Sequence, residues 1–74
     1  MFSRRRCGLC DEARAVILAE RDRTPFEFQE VLIDGDDALE HAHGLRVPVV
    51  EVDGAEVFET FVDPRALAAL LGTG

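Results

Sequence analysis

The chain of 74 residues is short and acidic, with a formal net charge of −7, 47% hydrophobic residues and 31% charged residues. A chain of this length has room for one core, so residues 1–74 are expected to form a single domain. The composition is that of a globular protein, and no apolar run approaches the roughly 20 residues that span a bilayer. The negative charge and the lack of Trp and Tyr argue against a nucleic-acid surface.

Turn signals and periodicity divide the chain into seven elements in the order β-α-β-α-β-β-α. Residues 1–3 leave room for only a short first strand. Apolar residues at helical spacing follow from Leu9, and this pattern predicts a helix that ends near Arg23. The next stretch, FEFQEVLID at 26–34, is rich in Phe, Val and Ile and predicts the second strand.

The second half of the chain predicts a short helix, a hairpin and a last helix. Caps and turns bound them: Asp36 and Gly44 around the helix at 36–44, Asp53-Gly54 between strands 49–52 and 55–58, and Asp63, Pro64 and Gly72 around the last helix. A βαβ unit followed by a helix and a hairpin predicts an α/β fold, with a mixed four-stranded sheet and helices on both faces.

The start of the chain, MFSRRR, is basic as the start of an export signal is, but the next residues, CGLCDEAR, are polar where such a signal needs an apolar run. We therefore expect a cytoplasmic protein. A disulfide is seldom a permanent structural bridge in that reducing compartment, and so small a loop would remove little chain entropy. The only two cysteines, Cys7 and Cys10, are therefore expected to carry chemistry.

Cys7 and Cys10 lie at the first strand-to-helix junction of a βαβ unit, the setting typical of a redox pair. Thiol–disulfide exchange needs an exposed thiolate that attacks and a second thiol that resolves the mixed disulfide. Cys7 lies at the predicted helix N-terminus, where free N–H groups favour an anion, and Cys10 lies one turn further in. We predict that Cys7 is the nucleophile and Cys10 the resolving thiol, that the arginines ending at Arg6 lower the pKa of Cys7, and that Arg6 is also a substrate contact.

A zinc site built from the cysteines with His41 and His43 is disfavoured. Thirty residues separate the two pairs, whereas zinc fingers leave about 12 to 15, and histidines two apart on a helix point about 200° away from each other. We interpret both histidines as part of a solvated helix face.

Three segments carry a family resemblance: C-x-L-C-D-E-A at 7–13, VLIDGD at 31–36 and RVPV at 46–49. With these segments the sequence resembles the glutaredoxin-like branch of the thioredoxin-fold superfamily, from about Phe2 to Leu71. The resemblance implies a thioredoxin/glutaredoxin-like fold and a thiol–disulfide oxidoreductase that acts on protein or low-molecular-weight disulfides without a bound cofactor. It also implies a cis Pro48 beside the cysteines, with the main chain of Val47 pairing with substrate.

The resemblance leaves the electron donor open. Glutaredoxins that use glutathione resemble one another in a Thr before the V-P pair and in a Gly-Gly pair after the last strand. Here Arg46 takes the place of the Thr, as a candidate anion contact, and VFETFVDP at 57–64 contains no glycine. The donor is therefore glutathione or another thiol reductant.

The expected partners are a disulfide-containing protein or small thiol substrate and a reductase or thiol donor. Nucleic acid and membrane are not expected as partners, and we expect a monomer. Two alternatives stay open. One is a redox-sensing or redox-inactive protein-binding module on the same fold, and the other is a metal or iron-sulfur carrier, which C-x-x-C also permits.

Overall fold

The structure is a computed structural model, and it describes residues 1–72. It is an α/β fold with a mixed four-stranded sheet and three helices, and this confirms the predicted order of elements. In chain order the elements are β1 (Phe2–Ser3), α1 (Gly8–Arg23), β2 (Val31–Leu32), α2 (Asp37–His43), β3 (Val49–Val52), β4 (Ala55–Glu59) and α3 (Pro64–Gly72). The strands lie in the order β2-β1-β3-β4, with β1 parallel to β2 and antiparallel to β3, and with β3 antiparallel to β4.

The core lies between the sheet and the pair α1 and α3. Ala13 and Ile17 of α1 and Leu67 of α3 are buried against Val50 of the sheet. The opposite face of the sheet carries α2, where the ring of His43 stacks on Phe2 with the ring centroids 4.2 Å apart. Helices therefore cover both faces, as the sequence predicts.

Strand β1 is short, as expected, yet it lies inside the sheet. Phe2 pairs with Val31 on one side and with Val49 on the other. Ser3 is completely buried, and its backbone oxygen accepts from the N–H of Ile33 at 2.9 Å. Two residues therefore connect both halves of the sheet.

The second strand is shorter than the sequence predicts. The sequence predicts a strand over 26–34, but the ladder contains only Val31–Leu32. Half-buried and exposed residues do alternate from Phe26 to Glu30, as in a strand. The N–H of Val31 donates to the backbone oxygen of Met1 at 2.8 Å, and the amino group of Met1 donates to the backbone oxygen of Gln29 at 2.7 Å, so backbone pairing reaches Gln29 although the ladder contains only two residues.

The helix ends follow the predicted caps. Asp36 accepts from the backbone N–H of Leu39 at 3.0 Å at the start of α2. Helix α1 ends at Arg23, because Thr24 precedes a proline and is extended, with φ −133° and ψ 98°. In the described part of the chain no helix is both long enough and apolar enough to cross a membrane.

The predicted turn at Asp53-Gly54 is confirmed, and both of its central residues have a left-handed backbone conformation. Asp53 has φ 53° and Gly54 has φ 83°, and the strands on either side pair from Val52 and Ala55 outward. Positive φ at both central residues is what a type I′ turn requires, and this is why the D-G pair predicts it.

Gly44 ends α2 at a point where no side chain fits. A Cβ at Gly44 would lie 2.5 Å from the backbone oxygen of Glu40 and 3.0 Å from the guanidinium of Arg4. Backbone atoms cannot move aside as a flexible side chain can. The end of α2 therefore depends on glycine for close approach and not for an unusual φ.

We predict that Gly44→Ala destabilises the protein by about 1–3 kcal/mol, because the added methyl group forces the end of α2 to shift. The measurement is the free energy of unfolding from urea denaturation. Gly8→Ala is the matched control, since a Cβ at Gly8 would meet nothing within 4 Å, and we expect it to be neutral or slightly stabilising. Equal stability of the two variants would contradict the conclusion that the end of α2 needs a glycine for close approach.

Glu30 joins three elements just before β2. Its carboxylate accepts from the hydroxyl of Ser3 at 2.6 Å and from Nε of Arg14 at 2.7 Å, and Arg14 also binds Asp11 at 2.9 Å. The guanidinium of Arg14, which stabilises the charged carboxylate, lowers the pKa of Glu30 from 4.5 to about 2. This ion pair connects α1 to the extended segment that enters the sheet.

We predict that the ion pair stabilises the protein at neutral pH and weakens in acid. Because the pKa of Glu30 is lower in the folded protein, its contribution is complete above the ordinary value of 4.5 and is lost as the pH falls toward 2. Glu30→Gln should cost about 1 kcal/mol at pH 7 and less at pH 3, as urea denaturation at both values measures. Glu27→Gln, at an exposed position on the same segment, should cost little at either pH. An equal loss in the free energy of unfolding of Glu30→Gln at pH 7 and at pH 3 would contradict the predicted pH dependence.

Candidate active site

Cys7 and Cys10 form a disulfide at the N-terminus of α1. Cys7 is the N-cap residue, and its sulfur accepts a hydrogen bond from the backbone N–H of Cys10 at 3.1 Å. The two Cα atoms are 5.2 Å apart. The sulfur of Cys7 thus lies where the first helical N–H groups point, a position that favours a negative charge on sulfur once the bond is reduced.

The two sulfur atoms differ in their surroundings. Cys10 is 0% exposed, whereas Cys7 is half-buried at the surface. Cys10 also lies on the face of α1 that carries the buried Ala13 and Ile17. A partner molecule can therefore approach Cys7 more readily than Cys10.

The three arginines before Cys7 have different surroundings. Arg4 turns toward α2, where its guanidinium binds Glu40 at 2.7 Å and the backbone oxygen of Gly44 at 3.2 Å. Arg5 and Arg6 are exposed, and no ion pair involves either guanidinium within residues 1–72. Arg6 has φ 54°, a left-handed conformation uncommon for a residue other than glycine. Two exposed arginines outside any ion pair of residues 1–72 therefore precede Cys7 in the sequence of a chain that is acidic overall.

Val47 and Pro48 lie at the same edge of the sheet as the cysteines. The peptide bond between them is cis, and Pro48 is fully buried. Pro48 immediately precedes β3, which runs antiparallel to β1 and pairs with it at Val49 and Phe2. Since the chain leaves β1 toward Cys7 at this edge, the topology brings the proline turn and the start of α1 to one end of the molecule.

Arg46 is more constrained than a free anion contact would be. Its guanidinium binds Glu59 at 2.9 Å, contacts Glu56 and donates to the backbone oxygen of Ala42 at 2.9 Å. The two carboxylates raise the pKa of Arg46. The sequence marks Arg46 as a candidate substrate contact, whereas the structure places its charge beside two carboxylates of β4. Glu56 and Glu59 are exposed residues of an edge strand, and no spacing in the sequence marks them as its partners.

The two histidines both belong to α2. His43 stacks on Phe2, its Nδ1 lies 3.3 Å from the guanidinium of Arg46, and His41 is exposed. In the part of the chain that the structure describes, no three His, Cys, Asp or Glu side chains converge on a point where they could hold a metal ion.

The sheet order, the three helices and a C-x-x-C pair at the first strand–helix junction define a thioredoxin-fold protein. The family model described as Glutaredoxin-like domain (DUF836) matches residues 1–72, and the chain belongs to this family. This confirms the family predicted from the sequence.

Two solved structures share the fold at the same TM-score of 0.79. Protein XcR50 from X. campestris is 37% identical, and the match covers 100% of this chain and 91% of that protein. Protein Ne2328 from Nitrosomonas europaea is 30% identical, and the match covers 95% of this chain and 85% of that protein. Both are solution NMR structures of similar length. No curated protein matches the chain.

We predict that the reduced Cys7 thiol has a pKa below the value of about 8.5 for free cysteine, because the helix N-terminus and the nearby cations stabilise its thiolate. In a Cys10→Ser variant, Cys7 is the only thiol, and the lack of Trp and Tyr leaves its thiolate absorbance near 240 nm clear. Arg6→Gln should raise this pKa by about half a unit, and Arg21→Gln, at the far end of α1, should leave it unchanged. A Cys7 pKa at or above that of the urea-unfolded variant would contradict the prediction.

Proposed function

We propose that the protein is a thiol–disulfide oxidoreductase that acts on protein or low-molecular-weight disulfides. The observation that carries the proposal is the unequal placement of the two cysteines, with Cys7 accessible at a helix N-terminus and Cys10 fully buried one turn inside. Dithiol chemistry needs an accessible attacking sulfur and a protected second sulfur within reach. Membership of the glutaredoxin-like family supports the same chemistry.

In the first step the thiolate of Cys7 attacks one sulfur of the substrate disulfide. A bond forms between Cys7 and that sulfur, the substrate S–S bond breaks, and the other substrate sulfur leaves as a thiolate that takes up a proton. The buried position of Cys10 keeps it from competing for the substrate in this step.

In the second step the thiol of Cys10 loses its proton and attacks the sulfur of Cys7. This releases the second substrate thiol and forms the Cys7–Cys10 disulfide, so two electrons have passed from the protein to the substrate. An external thiol reductant, glutathione or another, returns the protein to the dithiol form. The proposal requires no bound cofactor and includes a cytoplasmic location.

Leu45 and Phe61 favour a protein as substrate. Leu45 is 103% exposed and Phe61 is 63% exposed, next in sequence to Arg46 and Thr60, which frame the proline turn. Large apolar side chains at this level of exposure are typical of surfaces that contact another protein. The same observation favours a second candidate function, a protein-binding module on this fold that does not turn over disulfides.

We predict that the reduced protein reduces a disulfide-linked peptide in repeated turnovers when a thiol reductant is supplied. Cys7→Ser should abolish turnover, because the remaining thiol, Cys10, is fully buried and out of reach of the substrate disulfide. Cys10→Ser should accumulate one peptide per protein as a mixed disulfide, which intact mass spectrometry detects. Glutathione and thioredoxin-type donors are compared in parallel to identify the reductant.

A double Cys7→Ser, Cys10→Ser variant is the control for peptide binding without chemistry. Binding by this variant and by the wild-type protein, with no turnover by the wild-type protein under either donor, would favour the binding module. Turnover by Cys7→Ser would contradict the assignment of the nucleophile.

A further inference from the structure

Thr60 has an unusual backbone conformation immediately after β4. Its φ is 68°, in the left-handed region that a β-branched residue seldom occupies. In this conformation its N–H points at two backbone oxygens, that of Arg46 at 2.9 Å and that of Pro48 at 2.8 Å. Such a conformation persists only where its surroundings fix it, and it tends to occur at functional sites.

Arg46 is held from three further directions. Its N–H donates to the backbone oxygen of His43 at 2.9 Å, and its guanidinium donates to the backbone oxygen of Ala42. The same guanidinium binds Glu59, the residue directly before Thr60. Side-chain and backbone contacts therefore connect the end of α2 to the end of β4 through Arg46. We call the three residues Arg46, Glu59 and Thr60 the clasp.

The clasp holds the residues on either side of Val47 but, within residues 1–72, forms no hydrogen bond with the Val47 backbone. The oxygens on either side of Val47, those of Arg46 and Pro48, both accept from Thr60, whereas within residues 1–72 no hydrogen-bond partner is found for the backbone of Val47 itself. A backbone segment that is fixed on both sides and unpaired in the middle can add a partner chain at low ordering cost.

We propose that Arg46 and Thr60 are positioning residues that fix the Val47 backbone for pairing with an extended polypeptide at the disulfide site. The inference rests on the proposed function and adds a substrate class to it. A peptide disulfide can form backbone hydrogen bonds with Val47, and a disulfide without peptide groups, such as hydroxyethyl disulfide, cannot. Because Glu56 and Glu59 already compensate the charge of Arg46, the clasp offers no uncompensated cation to an anionic small thiol.

The test uses Arg46→Gln, which removes the ion pairs and keeps a polar side chain, and Arg21→Gln, an exposed arginine of α1, as the matched control. With the reduced protein, the kcat/KM for a disulfide-linked peptide should fall about tenfold in Arg46→Gln, because orientation is lost. The rate at which iodoacetamide alkylates Cys7 should stay within about twofold, since this small reagent pairs with no backbone. Equal losses in both rates, or no loss in either, would overturn the proposal.

Thr60→Gly tests whether the positive φ of Thr60 is strained. Glycine adopts a positive φ without steric cost, so this variant should raise the Tm by about 4 °C. Arg46→Lys keeps the charge without the planar fork and should recover only part of the peptide rate. It is also the second variant if Arg46→Gln does not fold. A peptide rate in Arg46→Lys no higher than in Arg46→Gln would overturn the proposal.

Amide hydrogen exchange at Thr60 and Val49 tests the clasp without turnover. Exchange at these amides should be faster in Arg46→Gln than in the wild-type protein and unchanged in Arg21→Gln. If the wild-type protein reduces no disulfide, the proposed function fails, and exchange still decides whether the clasp fixes the turn. Unchanged exchange in Arg46→Gln would overturn the clasp even if the wild-type protein is an active oxidoreductase.

Discussion

The structure depends on a strand of two residues at the centre of the sheet. Phe2–Ser3 pairs with β2 on one side and with β3 on the other, and β4 joins the sheet through β3. Its two side chains also serve opposite faces, with Phe2 against α2 and the hydroxyl of Ser3 bound to Glu30. Because the ladder is so short, side-chain contacts to neighbouring elements must supply much of what a longer strand would supply by backbone pairing.

Arginine supplies several of these contacts, and this explains how a chain of net charge −7 with no lysine uses its cations. Arg4 connects the loop after β1 to α2, Arg14 connects α1 to the segment before β2, and Arg46 connects α2 to β4. Each carries the planar, multidentate group that can hold two elements at once, which an ammonium does less well. Arg5 and Arg6 directly precede Cys7, and within residues 1–72 no ion pair involves either guanidinium.

The fold could be predicted from the sequence where the signal is local. The caps of α2, the D-G turn and the proline at the start of α3 are each determined by residues within a few positions, and each appears as expected. The extent of β2 could not be predicted in this way, because it depends on pairing with β1, 29 positions earlier in the chain. The length of a strand therefore depends on both of the paired segments and not on the sequence of one segment alone.

The same distinction applies to the site. Cys7, Cys10 and Arg6 are neighbours in sequence, and a helix N-terminus brings them together by local geometry alone. The surroundings of Arg46 depend on Glu59 and Thr60, whose roles arise only when β4 pairs with β3 and carries them back to the proline turn. From the sequence alone Arg46 is a candidate anion contact, whereas in the fold Glu56 and Glu59 compensate its charge.

The two halves of the candidate site are therefore held by different forces. The cysteine half rests on the first turn of a sixteen-residue helix, whose hydrogen bonds are within the segment, so it should keep its geometry under changes elsewhere in the chain. The proline half depends on contacts from Arg46 and Pro48 to β4 and to Thr60, between residues 10 to 14 positions apart in sequence. The ion pairs among these contacts are exposed, and exposed ion pairs weaken with salt. Loss of the second half would leave a reactive thiol without a defined surface for a partner chain. Under the proposed function, the chemistry of Cys7 and the choice of its substrate would thus be physically separable in this small domain.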